Sequence, residues 1–299
     1  MLRTEGIEKR YGGVEALAGL TLDVPAGSVF ALIGPNGAGK TTAIKVLMNL
    51  LQATAGRAEI LGVDSRKLGP EQLAQIGYVS ENRRLPDWMR AGYFFSYCKE
   101  FYPGWRDEDL AGLIRLYELP LDRPLKAMSR GMRVKAAMAA ALSFRPRLLI
   151  LDEPFGGPDV LVREQVIESI LERVPESTVF LASHDLAEIE SFATHVAYLN
   201  EGRLQFVEEM GALSGRFREI EVVLENPGEL PADLPPDWLN PERTPLVVRF
   251  IHSRYEPERS EAEIQRVLPD IREIAVRSLS LRAIFVALAK SAKSANRGR

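Results

Sequence analysis

The hydrophobic pattern divides the chain before any motif is considered. The runs IEKRY from Ile7, LTLDV from Leu20 and VFALIG from Val29 are short, apolar and rich in β-branched residues, and they predict strands. Residues 34–39 form a glycine-rich turn, after which KTTAIKVLMNLLQ has helical spacing. AEILG and IGYVS, from Ala58 and Ile76, predict two more strands. Residues 82–145 carry long helical patterns and no clear strand. RLLILDEP from Arg147 and STVFLASHD from Ser177 are almost fully apolar and then end in acidic or polar residues. Such runs are strands of a parallel sheet covered on both faces, with the chemistry at their C-terminal ends. HVAYLNEGRLQF from His195 predicts a closing hairpin that turns at Asn200-Glu201-Gly202.

The texture changes after about residue 210. ENPGELPADLPPDWLNPERTP, from Glu225, is rich in proline and acid and is expected to be loop. REIEVVLE, PLVVRFIH, EAEIQRVLP, IREIAVRSLS and LRAIFVALAK around it predict strand, strand, helix, strand and helix, a small α+β unit. The tail SAKSANRGR is expected to be disordered. The expected division is therefore 1–212, with a helical subdomain at about 82–145, and 213–299.

Composition changes this picture little. The 38 basic and 41 acidic residues give a net charge of −3, which does not favour general nucleic-acid binding. Cys98 is the single cysteine, so no internal disulfide forms, which suits a reducing cytosol. The N-terminus lacks the apolar stretch of a signal peptide, and no run is long and apolar enough to span a membrane. A membrane role would need a partner chain.

The chemistry starts at GPNGAGKTT, residues 34–42, which fits G-x-x-x-x-G-K-[ST] between a strand and a helix. Gly34, Pro35, Asn36, Gly37, Ala38 and Gly39 let backbone N–H groups curl around phosphate oxygens. Lys40 supplies a point charge for the β- and γ-phosphates, and the hydroxyl of Thr41, followed by Thr42, can ligate Mg²⁺ at the helix N-terminus. The bland alternative is a glycine-rich turn that binds nothing. LLILDEP places two carboxylates at the end of a buried strand, where like charges crowd a poorly solvated edge unless a metal relieves them. Asp152 can hold Mg²⁺, and Glu153 can polarise the attacking water. The alternative there is a helix N-cap Asp followed by a solvated Glu. His184, just past STVFLAS, sits at a third strand end, where it can meet the γ-phosphate and the water. A lone histidine in such a place is more often structural. MSRGMRVKAAMAAALSF starts a long Ala-rich helix at the N-cap residue Ser129, and Gly131 keeps the approach open. That is either a second anion-binding helix start or an ordinary capped helix.

Taken in order, these motifs resemble the nucleotide-binding subunit of ATP-binding cassette (ABC) transporters, over about residues 1–210. The resemblance implies an α/β P-loop NTPase fold of the ABC-cassette type: a mixed-sheet core, an antiparallel β subdomain and a helical subdomain. The small C-terminal α+β domain would follow it. It also makes Tyr11 the aromatic that stacks on adenine and residues 34–42 the Walker A loop. Glu81, at the end of IGYVSE, takes the Q-loop position, MSRGM the signature and LLILDEP Walker B. Asp159 in GGPD belongs to the D-loop and His184 is the switch histidine. In this family two cassettes sandwich two ATP molecules, so Ser129 and Gly131 would act on the nucleotide of the opposite subunit. The implied partners are a second ABC ATPase subunit, identical or not, and a separate transmembrane permease. The implied location is the inner face of the cell membrane, reached through the permease. The implied cofactors are ATP and Mg²⁺, and the implied activity is ATP hydrolysis.

This chain departs from the family at four places. Glu81 replaces Gln and can ligate Mg²⁺ or water, but donates no hydrogen bond when ionised. Arg130 replaces the first signature glycine and Met132 the signature Gln. Gly156-Gly157-Pro158 precedes Asp159, and the proline stiffens that loop. The S-x-G-M signature and the Q-loop Glu resemble those of bacterial exporters whose ATPase and permease are separate chains. A soluble ABC ATPase acting on ribosomes or DNA is the alternative. It is disfavoured by the single cassette, the absence of sustained heptads and the lack of basic excess. A non-hydrolysing regulatory cassette is disfavoured by Glu153 and His184. Finally, WMRAGYFFSYCKEFYPGW, residues 88–105, concentrates eight aromatics, with Tyr93, Tyr97 and Phe101 on one helical face. Most are expected in the core. The rest are expected to line a groove that receives the permease between Glu81 and about Trp105.

Overall fold

The computed structural model describes residues 1–80, 85–155, 160–172, 176–227, 229–231 and 233–297, with side chains left undescribed at 187, 188, 214, 289 and 291–297. The chain forms two compact units, Met1–Val207 and Glu208–Arg299.

In the first unit, β1 (Leu2–Tyr11) and β2 (Val14–Val24) form an antiparallel hairpin, Tyr11 opposite Val14. The helix α1 (Lys40–Leu47) follows β3 (Val29–Ile33), and β4 (Ala55–Ile60) and β5 (Val63–Asp64) come next. These strands complete a four-stranded antiparallel sheet in the order β2-β1-β4-β5. Then come α2 (Pro70–Leu73), β6 (Ile76–Ser80), α3 (Ala91–Lys99), α4 (Asp107–Tyr117) and α5 (Arg130–Leu142). The unit continues with β7 (Leu148–Asp152), α6 (Val160–Leu171), β8 (Thr178–Ser183), α7 (Leu186–Ile189), β9 (His195–Asn200) and β10 (Arg203–Glu209). The second sheet has the order β10-β9-β3-β8-β7-β6, and the pairs β9-β3, β3-β8, β8-β7 and β7-β6 are parallel.

Burial explains why these runs are strands and not helices. Every residue of β3, β7 and β8 is buried, as strands covered on both faces must be. Phe30 and Phe180 stack at 6.0 Å between ring centroids within a core shared with Leu32, Ile150 and Ile44 of α1. Each such side chain contributes about 1.5–3 kcal/mol on burial. The register sets the site: Ser80 lies opposite Asp152, Asp152 opposite Ala182, and Ile33 opposite Ser183. The C-terminal ends of β6, β7, β8 and β3 therefore share one edge, where the chain turns into the chemistry-bearing loops.

The second unit contains α8 (Met210–Arg216), β11 (Arg218–Leu224), β12 (Trp238–Arg243), β13 (Val247–His252), α9 (Pro257–Val267), β14 (Ile271–Ser278) and α10 (Leu281–Arg297). Its antiparallel sheet runs β12-β13-β11-β14, and Ile220, Val222, Val248 and Phe250 pack against Ile264 of α9.

One expectation is corrected here. Residues 238–243, expected as loop, are a strand, because buried Trp238 stacks on Phe250 at 3.9 Å. Pro241 is tolerated because β12 is an edge strand and its register shifts between Leu239 and Glu242. Helix α8 was not anticipated; it is only seven residues long, with Leu213 fully buried. Helix α10 runs from Leu281 to Arg297, and its Ala, Lys and Arg residues are strong helix formers.

Candidate nucleotide site

The loop between β3 and α1 is shaped by its glycines. A Cβ on Gly34 would stand 2.1 Å from the Leu199 carbonyl oxygen, and one on Gly39 2.4 Å from that of Ala16. Gly39 also has φ +107°, in the region that favours glycine. The loop is thus pressed against its neighbours, and α1 starts from Gly39 with no side-chain cap. Its first N–H groups and its dipole point at whatever anion the loop holds.

Lys40 is 5% exposed and folds back over this loop. Its Nζ donates to the carbonyls of Gly34 at 2.7 Å and Pro35 at 3.2 Å, and lies 3.1 Å from Glu153 Oε1. The Thr41 hydroxyl donates to Asp152 Oδ1 at 2.9 Å. Burial pushes the Asp152 carboxyl above the usual carboxylate range, while the bond from Thr41 acts in the opposite direction. Glu153, the next residue, has φ +52°, a strained value for a residue with a side chain, and its N–H donates to the Ala182 carbonyl at 2.9 Å. That turn swings its carboxylate out to His184, whose Nδ1 lies 2.6 Å from Oε2.

A cavity of about 440 Å³ opens over these groups, lined by Ala16, Asn36 to Thr42, Glu153 and His184. The fold therefore gathers Asn36, Gly37, Ala38, Gly39, Lys40, Thr41, Thr42, Glu153 and His184 around one space. Gly34 and Pro35 stand behind it and hold Lys40 through their carbonyls. Asp152 sits beneath Thr41. Tyr11 is 48% exposed at the end of β1 and is not among the lining residues, nor are Ser129 and Gly131. Ser129 caps α5, its Oγ accepting from the Met132 N–H at 3.2 Å. Glu81 and Asp159 lie outside the described residues.

Two residues here were not singled out in the sequence. Ala16 lines the cavity from β2, with no signal beyond its place in a strand. Ser80 donates to Asp152 Oδ2 at 3.4 Å; it closes a run predicted as a strand, but its pairing with the strand of Asp152 was not legible.

No cluster of three His, Cys, Asp or Glu side chains that would hold a metal exists among the described residues. Mg²⁺ does not require one. It is held by one or two carboxylates and a hydroxyl together with substrate phosphates, and Asp152 and Thr41 are hard oxygen donors placed side by side. The donor set fits Mg²⁺ delivered with a nucleotide.

Comparison with known proteins agrees with this geometry. The family model "ABC transporter" matches residues 17–156. An uncharacterized ABC transporter ATP-binding protein of Synechocystis sp. is 35% identical over 223 residues, covering 71% of this chain and 62% of that protein. The daunorubicin resistance ATP-binding protein DrrA2 of Streptomyces coeruleorubidus is 34% identical over 239 residues, 77% of this chain and 74% of the relative. The sulfate/thiosulfate import ATP-binding protein CysA of Nephroselmis olivacea is 34% identical over 212 residues, covering 68% and 61%. Among solved structures, an ATP-binding subunit of an ABC transporter has a TM-score of 0.67 at 26% identity, covering 72% of this chain and 92% of its own. A dimeric cassette in a post-hydrolysis state with ADP and phosphate shares the fold, with a TM-score of 0.63 at 21% identity, covering 70% and 99%. No helix among the described residues is long and apolar enough to cross a membrane. The chain belongs to the ATP-binding proteins of the ABC transporter family, a family of ATPases whose nucleotide is ATP taken with Mg²⁺.

Proposed function

We propose that this chain binds and hydrolyses ATP to drive a separate membrane permease. One observation carries the reading: Glu153 stands between Lys40 and His184 at the phosphate end of the cavity, 3.1 Å from the first and 2.6 Å from the second. The loop N–H groups and Lys40 bind the β- and γ-phosphates. Thr41 and Asp152 hold Mg²⁺, which neutralises charge on the phosphate oxygens. Glu153 accepts a proton from water as the water oxygen bonds to the γ-phosphorus. The bond from that phosphorus to the β–γ bridging oxygen breaks, and the products are ADP and inorganic phosphate. His184 orients Glu153 and contacts the γ-phosphoryl group. Tyr11 stacks on the base.

Ser129 and Gly131 complete the site of a second subunit. This is supported by their place outside the cavity of their own chain and by the exposure of Ser129, the N-cap at the start of α5. Glu81 and Asp159 are proposed to sense the γ-phosphate and to bridge the two subunits. Residues 208–299 carry no phosphate-binding motif, which supports a regulatory or assembly role for them.

The permease docks in a second groove. A space of about 880 Å³ runs between α2 and β6 on one side and α3 and α5 on the other, and Tyr97, Phe101, Tyr102 and Phe144 line it. Phe101 is 59% exposed and Tyr97 45%, whereas Phe94 and Phe95 are core. Arg130 and Arg133 stand on its wall, so the segment it takes is amphipathic with acidic residues. Docked there, the chain is peripheral on the cytoplasmic side of the membrane. Export is the direction we infer. The resistance protein DrrA2 is matched over 74% of its length, against 61% for the import protein CysA. Co-expression with the permease and ATP-driven transport in inside-out vesicles tests both points. ATP-dependent loading of inside-out vesicles is expected. Loading only of right-side-out vesicles reverses the direction, and the absence of ATPase activity in the purified complex overturns the function.

A further inference from the structure

The carboxylate of Asp152 is 2% exposed and held by hydroxyls from both sides. Thr41 donates to Oδ1 at 2.9 Å and Ser80 to Oδ2 at 3.4 Å. The parallel register of β6 and β7 pairs Ser80 with Asp152, so a side chain at position 80 must fall beside that carboxylate. The register does not require a hydroxyl; alanine or valine would satisfy the strand equally. Ser80 uses the oxygen that Thr41 leaves, and so does not compete at Oδ1.

We propose that Ser80 is a positioning residue for the metal carboxylate. Its hydroxyl fixes the rotation of Asp152 so that Oδ1 stays turned toward Thr41 and the Mg²⁺ of bound nucleotide. This rests on the reading of Asp152 as the metal carboxylate. Groups that orient a ligand from behind typically change metal affinity by about 10–100-fold when removed. The Ser80 bond is long, which sets the expectation at the lower end. Ser80 also lines the aromatic groove of about 880 Å³, so an added methyl at this position has room on that side.

The test is binding of the non-hydrolysable analogue AMP-PNP to the full-length chain by calorimetry, across a MgCl₂ titration and in EDTA. Ser80→Ala is expected to raise the half-saturating Mg²⁺ concentration about tenfold and to leave binding in EDTA unchanged. Ser80→Thr is expected to restore the wild-type titration, and Ser80→Cys, similar in volume but a weak donor, to fall between. A wild-type Mg²⁺ response in both Ala and Cys variants, with Asp152→Asn shifted, overturns the role of Ser80 alone. An equal loss in EDTA and in Mg²⁺ assigns Ser80 a structural role and also overturns it. An unshifted Asp152→Asn instead removes the metal reading on which the proposal stands.

Discussion

His184 Nδ1 lies 2.6 Å from Glu153 Oε2, and the two residues stand one position past the ends of the paired parallel strands β8 and β7. The His184 N–H also donates to Oε2 at 3.3 Å. In the proposed mechanism this contact orients the base, Glu153, toward its water. Glu153→Gln is therefore expected to lower phosphate release at least about 100-fold. ATP affinity, measured by calorimetry, is expected to stay at the wild-type level, and the protein to elute as an ATP-bound dimer. Turnover near the wild-type rate would assign the base elsewhere.

Ser129 is exposed and caps α5. Ser129→Arg removes that cap, at about 1 kcal/mol, and places a bulky cation where, in the proposed arrangement, a second subunit presents its nucleotide. The variant is expected to bind ATP as a monomer with unchanged affinity and to fail in ATP-dependent dimerisation on size exclusion. An equal loss of monomer binding would put Ser129 in its own chain's pocket.

The aromatic segment divides by burial. Trp88 is 71% exposed and Phe101 59%, while Phe95 is 3% exposed. Trp88→Ala and Phe101→Ala are expected to keep basal ATPase activity and stability, and at least one to lose the permease on affinity copurification. Phe95→Ala is expected to destabilise by about 3–5 kcal/mol, as a core truncation does, and to lower the melting temperature. Copurification of both exposed variants at wild-type levels would move the docking site away from α3.

Asp152 carries a stability penalty that the site accepts for function. Its folded pKa is raised, chiefly by burial, so its contribution to stability is present below the ordinary carboxylate value of about 3.9 and lost as pH rises through the folded value. At pH 7 burial of this carboxyl therefore opposes folding. Asp152→Asn is expected to raise the melting temperature at pH 7 in EDTA, each kcal/mol appearing as about 2–4 °C, and to abolish Mg²⁺-dependent nucleotide binding. The gap between the two proteins should narrow as the pH falls toward 4. A variant that melts below the wild type at pH 7 would contradict the sign.

The sequence by itself determined the phosphate loop, the buried strands and the order of the motifs. These are local matters: only glycine tolerates the contact at Gly39, and only a fully apolar run suits a strand like β7, covered on both faces. It also carried the family, since residues 17–156 suffice to match it. The tertiary structure alone decided which end-of-strand groups meet. Lys40, Glu153 and His184 lie far apart in the chain and converge because β3, β8 and β7 are paired in one parallel register. The same register brings Ser80 to Asp152 and the fold of β2 brings Ala16 to the loop, pairings that no periodicity encodes. Strand β12 was illegible for a related reason. Its proline and acids read as loop, and the stack of Trp238 on Phe250 overrides that local preference. Local propensity is settled within a few residues, whereas pairing register and core stacking depend on partners distant in sequence, and only the folded chain supplies them.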